Sequence, residues 1–170
     1  IFPNADIFTS IFFGKNNPIF KNRIIKTSFI QNIPILNKSH KLALFFRPLA
    51  FENFDLSSYD IVISSTSAES KWVITKPETL QICYCHTPTR YFWSHYFEYI
   101  NMMEFGIFNF IGKKIMPEIV HKLRTWDFLA AKRVDYFISN SNNTKSRIEK
   151  YYKMPATTIY PWIDTESFYL

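Results

Sequence analysis

A mostly apolar run ends abruptly in polar residues within Leu80-Gln-Ile-Cys-Tyr-Cys-His-Thr-Pro-Thr-Arg90. Its first six residues, Leu80–Cys85, have the length and composition of a buried strand. The strand cannot continue through Pro88, because proline has no backbone N–H to donate to a neighbouring strand. We therefore predict that His86 stands at the point where this strand ends.

Three further apolar strands alternate with helices along the chain. The strands are predicted at Asp60–Ser65, Asp135–Ser139 and Ala156–Tyr160, and a helix reaching about Tyr151 separates the last two. A long helix is predicted over Gly112–Lys132. This alternation indicates an α/β domain with a parallel sheet. Near-continuous apolar strands are typical of a sheet covered on both faces.

The first half of the chain gives weaker signals. Short strands are predicted at Ile7–Phe12 and Lys26–Ile30, and a short helix or turn at Thr66–Trp72. The apolar stripe of Lys38–Phe54 predicts a helix, which Pro48 should kink or divide in two.

The aromatic segment Tyr91–Tyr99 is predicted to be helical and allows two interpretations. It could be a stacking platform for sugars or bases, or an interfacial helix for lipid. The alternative is ordinary core, which the helical spacing of Phe92, Tyr96 and Tyr99 favours.

The composition is that of a folded, basic protein. Of the 170 residues, 47% are hydrophobic and 19% aromatic, which excludes disorder of the whole chain. The net charge of +6 suggests an anionic partner, and the alternative is simply a lysine-rich, soluble surface. Only 3 glycines occur, fewer than a complete nucleotide-binding enzyme normally needs. There is no run of 18 apolar residues, so no membrane-spanning helix is expected.

The cysteines are expected to be buried, reduced thiols of a cytosolic protein. Cys83 and Cys85 lie two residues apart on one face of the predicted strand, which is a poor geometry for a disulfide. With His86 they do not complete a set of four metal ligands, so no metal is expected.

Polar residues follow three of the predicted strands, at Ser64-Ser65-Thr66, His86-Thr87 and Ser139-Asn140-Ser141. Ligands bind at the carboxyl ends of parallel strands, so these three strand ends predict a binding site. His86 could donate to a ligand oxygen or shuttle a proton. The alternative is a histidine that caps a helix or bonds a backbone carbonyl.

Basic and hydroxyl side chains near these strand ends also have two interpretations. Arg90, with Lys71 and Lys76, could hold a phosphate, or all three could be solvated surface residues. Asn140 and Ser141 are first of all an N-cap for the following helix, whose N-terminus could also bind an anion.

The chain resembles glycosyltransferase family 4 in two motifs, Tyr59-Asp-Ile-Val-Ile-Ser-Ser65 and Ile82-Cys-Tyr-Cys-His-Thr-Pro-Thr-Arg-Tyr91. It looks most similar to mannosyltransferase-like enzymes of bacterial surface-polysaccharide assembly. The resemblance covers most of the chain from about Leu56 onward and continues through Arg124-Thr-Trp-Asp127, Ala131-Lys-Arg-Val-Asp-Tyr-Phe-Ile-Ser-Asn-Ser141 and Ile159-Tyr-Pro-Trp-Ile-Asp-Thr-Glu-Ser-Phe168.

The resemblance implies a GT-B fold, in which two Rossmann-like domains face each other across a cleft. The chain would be the N-terminal, acceptor-side half, truncated at both ends, and its start at Ile1 rather than Met agrees with truncation. Residues 1–160 would form that domain without its first strand and Gly-rich loop. Residues 161–170 would begin the segment that leads to a missing C-terminal donor domain.

The implied activity is transfer of a sugar such as mannose, with retention of configuration, from a nucleotide-diphosphate sugar to a glycan or lipid-linked acceptor. No metal or other cofactor is implied, and the chain is expected to be inactive alone. The expected location is cytoplasmic and peripheral at the inner face of the plasma membrane, where the basic charge would meet anionic lipid.

The resemblance also assigns roles to particular residues. His86 matches the family histidine that lies near the transferred sugar. Trp72 and Ser94 stand where Gly and Asp are expected, and these departures concern the identity of the acceptor. The residues expected to bind substrate are Ser65, Lys71, Thr87, Arg90, Asn140 and Ser141.

Two other functions compete with the transferase. One is a non-catalytic α/β ligand-binding module or a remnant fragment. The other is nucleic-acid binding, which is disfavoured because the basic residues are scattered and the aromatic residues lie in apolar runs.

Overall fold

The computed structural model describes residues 2–14, 17–38, 40–102 and 109–162. The predicted interdomain segment 161–170 therefore lies almost entirely outside the described residues. The chain divides into two compact units, one formed by Ile1–Val62 with Trp72–Thr79 and the other by Ile63–Lys71 with Leu80–Leu170. Nothing in the composition of the first 79 residues signals this division.

The first unit contains a small parallel sheet. Strands β1 (Ile7–Thr9) and β2 (Ile25–Thr27) pair with Ile7 opposite Ile25. The predicted strand at Lys26–Ile30 is therefore shorter than expected. A 3₁₀ turn follows at Phe29–Asn32, because the Ser28 hydroxyl accepts the amide of Ile30 and turns the chain.

Two helices complete the first unit, α1 (Pro34–Lys38) and α2 (His40–Glu52). The sequence predicted that Pro48 kinks this helix or divides it in two; α2 runs through Pro48, so the helix is not divided there. Proline removes one helical hydrogen bond, but Pro48 is buried and its neighbour Ala50 packs in a core shared with α1. Burial of that face keeps the helix continuous.

The second unit is built on a four-stranded parallel sheet with the strand order β3-β4-β5-β6. The strands are β3 (Ile61–Thr66), β4 (Leu80–Cys85), β5 (Tyr136–Ser139) and β6 (Ala156–Thr158). In the register, Cys85 lies opposite Ser139, and Ser139 lies opposite Thr158. Helices flank the sheet, so the predicted α/β class with a Rossmann-like parallel sheet is confirmed.

The helices of this unit are α3 (Tyr96–Met102), α4 (Asn109–Ala131) and α5 (Asn142–Tyr152). The last two agree with the predicted helices. Among the described helices, none has the length and apolar composition that crossing a membrane requires.

Side chains of the sheet alternate in burial. One face carries Cys83, Cys85 and Phe137, which pack with Ile148 and Tyr152 of α5 in the main core. Ile63 and Tyr136 point to the other face and are 49% and 63% exposed. The prediction that both faces of the sheet are covered was therefore wrong for β3 and β5. Apolar composition alone does not show which face of a strand is packed.

The predicted helix at Tyr91–Tyr99 was wrong in its first half, because residues 90–95 form turns and α3 begins only at Tyr96. The carbonyl of Phe92 accepts Nε of Arg124 at 2.5 Å instead of a helical amide. Phe92 is buried as predicted, whereas Tyr99, expected on the same buried face, is 38% exposed and Phe97 is 77% exposed.

Candidate functional site

Polar side chains from adjacent strands meet at the carboxyl ends of the sheet. Ser65 lies near the end of β3, and His86 directly follows β4. Ser65 Oγ and His86 Nε2 are 3.0 Å apart and form a hydrogen bond. The convergence predicted from the strand ends is confirmed for these two residues. We call Ser65, His86, Thr87, Asn140 and Ser141 the polar end of the sheet.

The backbone of His86 is fixed while its imidazole stays exposed. Its amide donates to the carbonyl of Thr66 at 2.8 Å, and its carbonyl accepts the hydroxyl of Thr144 at 3.1 Å. The ring packs edge-on against Tyr84 with centroids 5.2 Å apart. An exposed imidazole on a fixed backbone can hydrogen-bond to a ligand or exchange a proton with it.

Asn140 and Ser141 connect β5 to α5. Ser141 has extended backbone angles and its Oγ accepts the amide of Thr144 at 3.2 Å, so it is the N-cap of α5. Its hydroxyl also lies 3.3 Å from Oδ1 of Asn140. The predicted capping role is confirmed for Ser141, and the predicted substrate contact of Asn140 and Ser141 stays a prediction.

Arg147 brings a positive charge to the polar end of the sheet. Its Nη1 donates to Thr87 Oγ1 at 3.4 Å. Thr144 and Arg147 lie three positions apart on α5, and both reach the segment that follows β4. Arg147 was not predicted from the sequence, although its spacing from Thr144 in a helix that follows an N-cap is a signal that the sequence contains.

Arg90 is exposed and belongs to the turn that follows Thr89. Its carbonyl accepts the amides of Trp93 and His95 at 3.2 and 2.9 Å. The structure therefore gives its backbone a turn-forming role and leaves its guanidinium at the surface.

Lys71 lies inside the protein and not at its surface. Its side chain is 1% exposed, and its Nζ is 2.6 Å from Oδ1 of Asp127, whose side chain is 0% exposed. It also donates to the carbonyl of Ala68. The structure thus brings Lys71 into a buried ion pair, away from solvent, and its predicted contact with substrate stays a prediction.

Asp127 accepts hydrogen bonds from three further side chains. Thr89 Oγ1 lies 3.2 Å from Oδ1, and Trp93 Nε1 and Tyr152 OH lie 2.8 and 2.9 Å from Oδ2. We call these residues with Lys71 the Asp127 network. Burial, and then the charge of Asp127, raise the pKa of Tyr152 well above its ordinary value of 10.0.

Sequence reasoning assigned no role to Asp127 beyond the resemblance of its motif. A detectable signal was its position on the apolar stripe of the long helix, four residues after Leu123 and three before Ala130. An acidic residue at such a position requires donors from elsewhere in the fold.

The two cysteines are buried and unpaired, as predicted. The hydrogen bond with Cys83, together with burial, raises the pKa of the Cys85 thiol above its usual range. Burial of this kind is typical of a cysteine that packs as an apolar side chain. In the described parts of the chain, no three His, Cys, Asp or Glu side chains are grouped so as to hold a metal ion.

These observations define an α/β protein with a parallel sheet, a polar end that presents an exposed histidine, and a buried charged network beneath it. Comparison with family models, curated proteins and solved structures found no match to this chain.

Proposed function

We propose that this chain is the acceptor-side half of a retaining glycosyltransferase. The observation that carries the proposal is the Ser65–His86 pair, in which an exposed imidazole on a fixed backbone stands at the carboxyl end of a parallel sheet. That is the place where α/β sheets bind their ligands. The motif around His86 resembles glycosyltransferase family 4, and the resemblance supplies the reaction.

In the proposed reaction, the bond from the anomeric carbon to the diphosphate breaks, and a bond from that carbon to an acceptor hydroxyl oxygen forms. The acceptor proton leaves with the nucleotide diphosphate. His86 hydrogen-bonds to the transferred sugar, and Ser65 orients the imidazole through their 3.0 Å contact. A hydrogen bond that holds the transferred sugar in its reactive orientation lowers the barrier by positioning the sugar.

The other groups at the polar end of the sheet are assigned by their place in it. Arg147, through Thr87, and the exposed Arg90 supply positive charge to the leaving diphosphate. Asn140 and Ser141 face the donor side. The nucleotide-diphosphate sugar is the co-substrate, a sugar such as mannose is transferred, and the acceptor is a glycan or a lipid-linked saccharide.

The test is a transfer assay with the protein encoded by the complete gene. The protein is incubated with radiolabelled GDP-mannose, and in parallel with UDP-glucose, in the presence of bacterial lipid extract. We expect label in a glycan or lipid product whose new linkage keeps the α configuration, as NMR of the product would show. Inversion of configuration, or an absence of transfer with every donor, would overturn the proposal.

A non-catalytic ligand-binding module is the second candidate. It is favoured by one observation: among the described residues, no carboxylate hydrogen-bonds to the His86 ring. A base oriented by a third group is the usual mark of nucleophilic catalysis. Saturable binding of GDP-mannose, measured by calorimetry, without turnover would favour this candidate.

The net charge of +6 motivates a peripheral contact with anionic lipid at the cytoplasmic face of the membrane. We expect the protein to float with vesicles that contain phosphatidylglycerol and not with pure phosphatidylcholine. Binding should weaken as salt rises, because the attraction is screened. Equal flotation with both vesicles would count against the contact.

A further inference from the structure

We propose that Asp127 is a positioning residue that fixes the spacing between Ser65 and His86. This inference rests on the proposed function only in that His86 is the group to be positioned. Asp127 lies on α4 and its side chain is fully buried, so it does not touch a ligand. It acts through the two segments that follow β3 and β4.

The segment after β4 is held to Asp127 at two points. Thr89, three residues after His86, donates its hydroxyl to the carboxylate at 3.2 Å, and Trp93 donates its indole N–H at 2.8 Å. The backbone amide of Thr89 also contacts the hydroxyl of Tyr152, which itself donates to Asp127. The turn that carries His86 is thus bonded to the carboxylate through side chain and backbone.

The segment after β3 is held to the same carboxylate by Lys71. The Lys71 ammonium bonds both Asp127 and the carbonyl of Ala68. The amide of Ala68 in turn donates to the hydroxyl of Thr66 at 2.8 Å. Ser65 is therefore connected to Asp127 through a short path of hydrogen bonds within its own loop.

The ionised carboxylate suits this task better than a neutral side chain. A carboxylate has about four acceptor sites, and at least four donors among the described residues contact Asp127: Lys71, Thr89, Trp93 and Tyr152. An amide at this position would turn an N–H₂ group toward those donors. Buried ion pairs often add little to stability compared with apolar side chains, so a fully satisfied one is better explained by the geometry that it specifies.

The test uses the ¹⁵N-labelled 170-residue chain and NMR of the His86 ring nitrogens. Ser65→Ala gives the ring shifts of a histidine that has lost its partner. We expect Asp127→Asn to move the His86 ring shifts most of the way toward those of Ser65→Ala. The control is Asp135→Asn, which changes the acceptor of another backbone contact, the part-buried 2.8 Å bond from Gln81 N, at the amino ends of β4 and β5. It should leave the His86 ring unchanged.

A second readout is amide hydrogen exchange at His86, whose N–H bonds to Thr66. We expect exchange at least tenfold faster in Asp127→Asn, with the amide of Phe137 in β5 changed less than threefold. If Asp127→Asn does not fold, Thr89→Val removes one donor and keeps the ion pair, and it should shift both readouts in the same direction by a smaller amount.

Ring shifts and exchange that stay at wild-type values in a folded Asp127→Asn or Thr89→Val protein would overturn the inference. So would ring shifts that Ser65→Ala does not change. No sugar transfer is measured, so failure here is distinct from failure of the proposed function.

Discussion

Lys71 and Lys122 both form ion pairs, but in opposite surroundings. Lys71 is buried against Asp127, whereas Lys122 meets Glu118 at 3.4 Å with side chains that are 74% and 65% exposed. Removing one partner of a buried pair leaves an uncompensated charge. We therefore expect Lys71→Met to lower the free energy of unfolding by about 3–5 kcal/mol, measured by urea denaturation.

The matched substitution Lys122→Met should change the free energy of unfolding by less than about 0.5 kcal/mol, because solvent screens the exposed pair. The double variant Lys71→Met/Asp127→Asn should recover part of the loss, since both charges leave the interior together and the amide oxygen can still accept a hydrogen bond. Equal effects of the two lysine substitutions would show that Lys71 is not paired in the interior.

The raised pKa of Tyr152 predicts how the free energy of unfolding changes at alkaline pH. Its pKa is raised in the folded protein, so the folded state keeps a proton that the unfolded state releases above about pH 10. The stabilisation that comes from this difference in proton binding is complete below that pH and is lost as pH rises further. Between pH 10 and 11, wild type should lose about 1 kcal/mol more than Tyr152→Phe.

The control for this pH effect is Tyr136→Phe, because Tyr136 is 63% exposed. The free energy of unfolding of Tyr136→Phe should change with pH as that of wild type does across the same range. Parallel pH profiles for wild type and Tyr152→Phe, measured by thermal unfolding at each pH, would contradict the burial of the Tyr152 hydroxyl.

The backbone at the C-terminal end of helix α5 is strained, and a glycine substitution should relieve this strain. Lys153 follows the helix with φ 53, in the left-handed region that glycine adopts at helix ends. We expect Lys153→Gly to raise the free energy of unfolding by about 1 kcal/mol. Lys150→Gly, inside the same helix, should lower it by about 1 kcal/mol. Destabilisation by both substitutions would contradict the left-handed cap.

Strands and helices could be predicted where neighbouring residues in the sequence determine their ends. Strand β4 has the predicted limits Leu80–Cys85, because an apolar run ends there before Pro88. The aromatic segment Tyr91–Tyr99 was predicted less well. The conformation of its first half depends on the hydrogen bond from Arg124, which lies 32 positions along the chain from Phe92. A bond over that distance leaves no trace in helical periodicity.

In the whole molecule, the parallel sheet was predictable from the alternation of strands with helices, and the meeting of Ser65 with His86 from the polar strand ends. The Asp127 network did not, because its donors come from segments that folding alone brings together. Lys71 illustrates the difference: a lysine near a strand end is expected to be solvated, and only the fold reveals its buried partner.

The central claim is that His86 acts on the transferred sugar, and His121 provides its control. Both histidines are exposed, but His121 lies on α4. We would compare sugar transfer by the complete gene product carrying His86→Ala or His121→Ala. We expect His86→Ala to lower kcat by about 100-fold, as loss of a contact that positions the sugar does, and His121→Ala to stay within about twofold of wild type. Transfer by His86→Ala at the wild-type rate would contradict it.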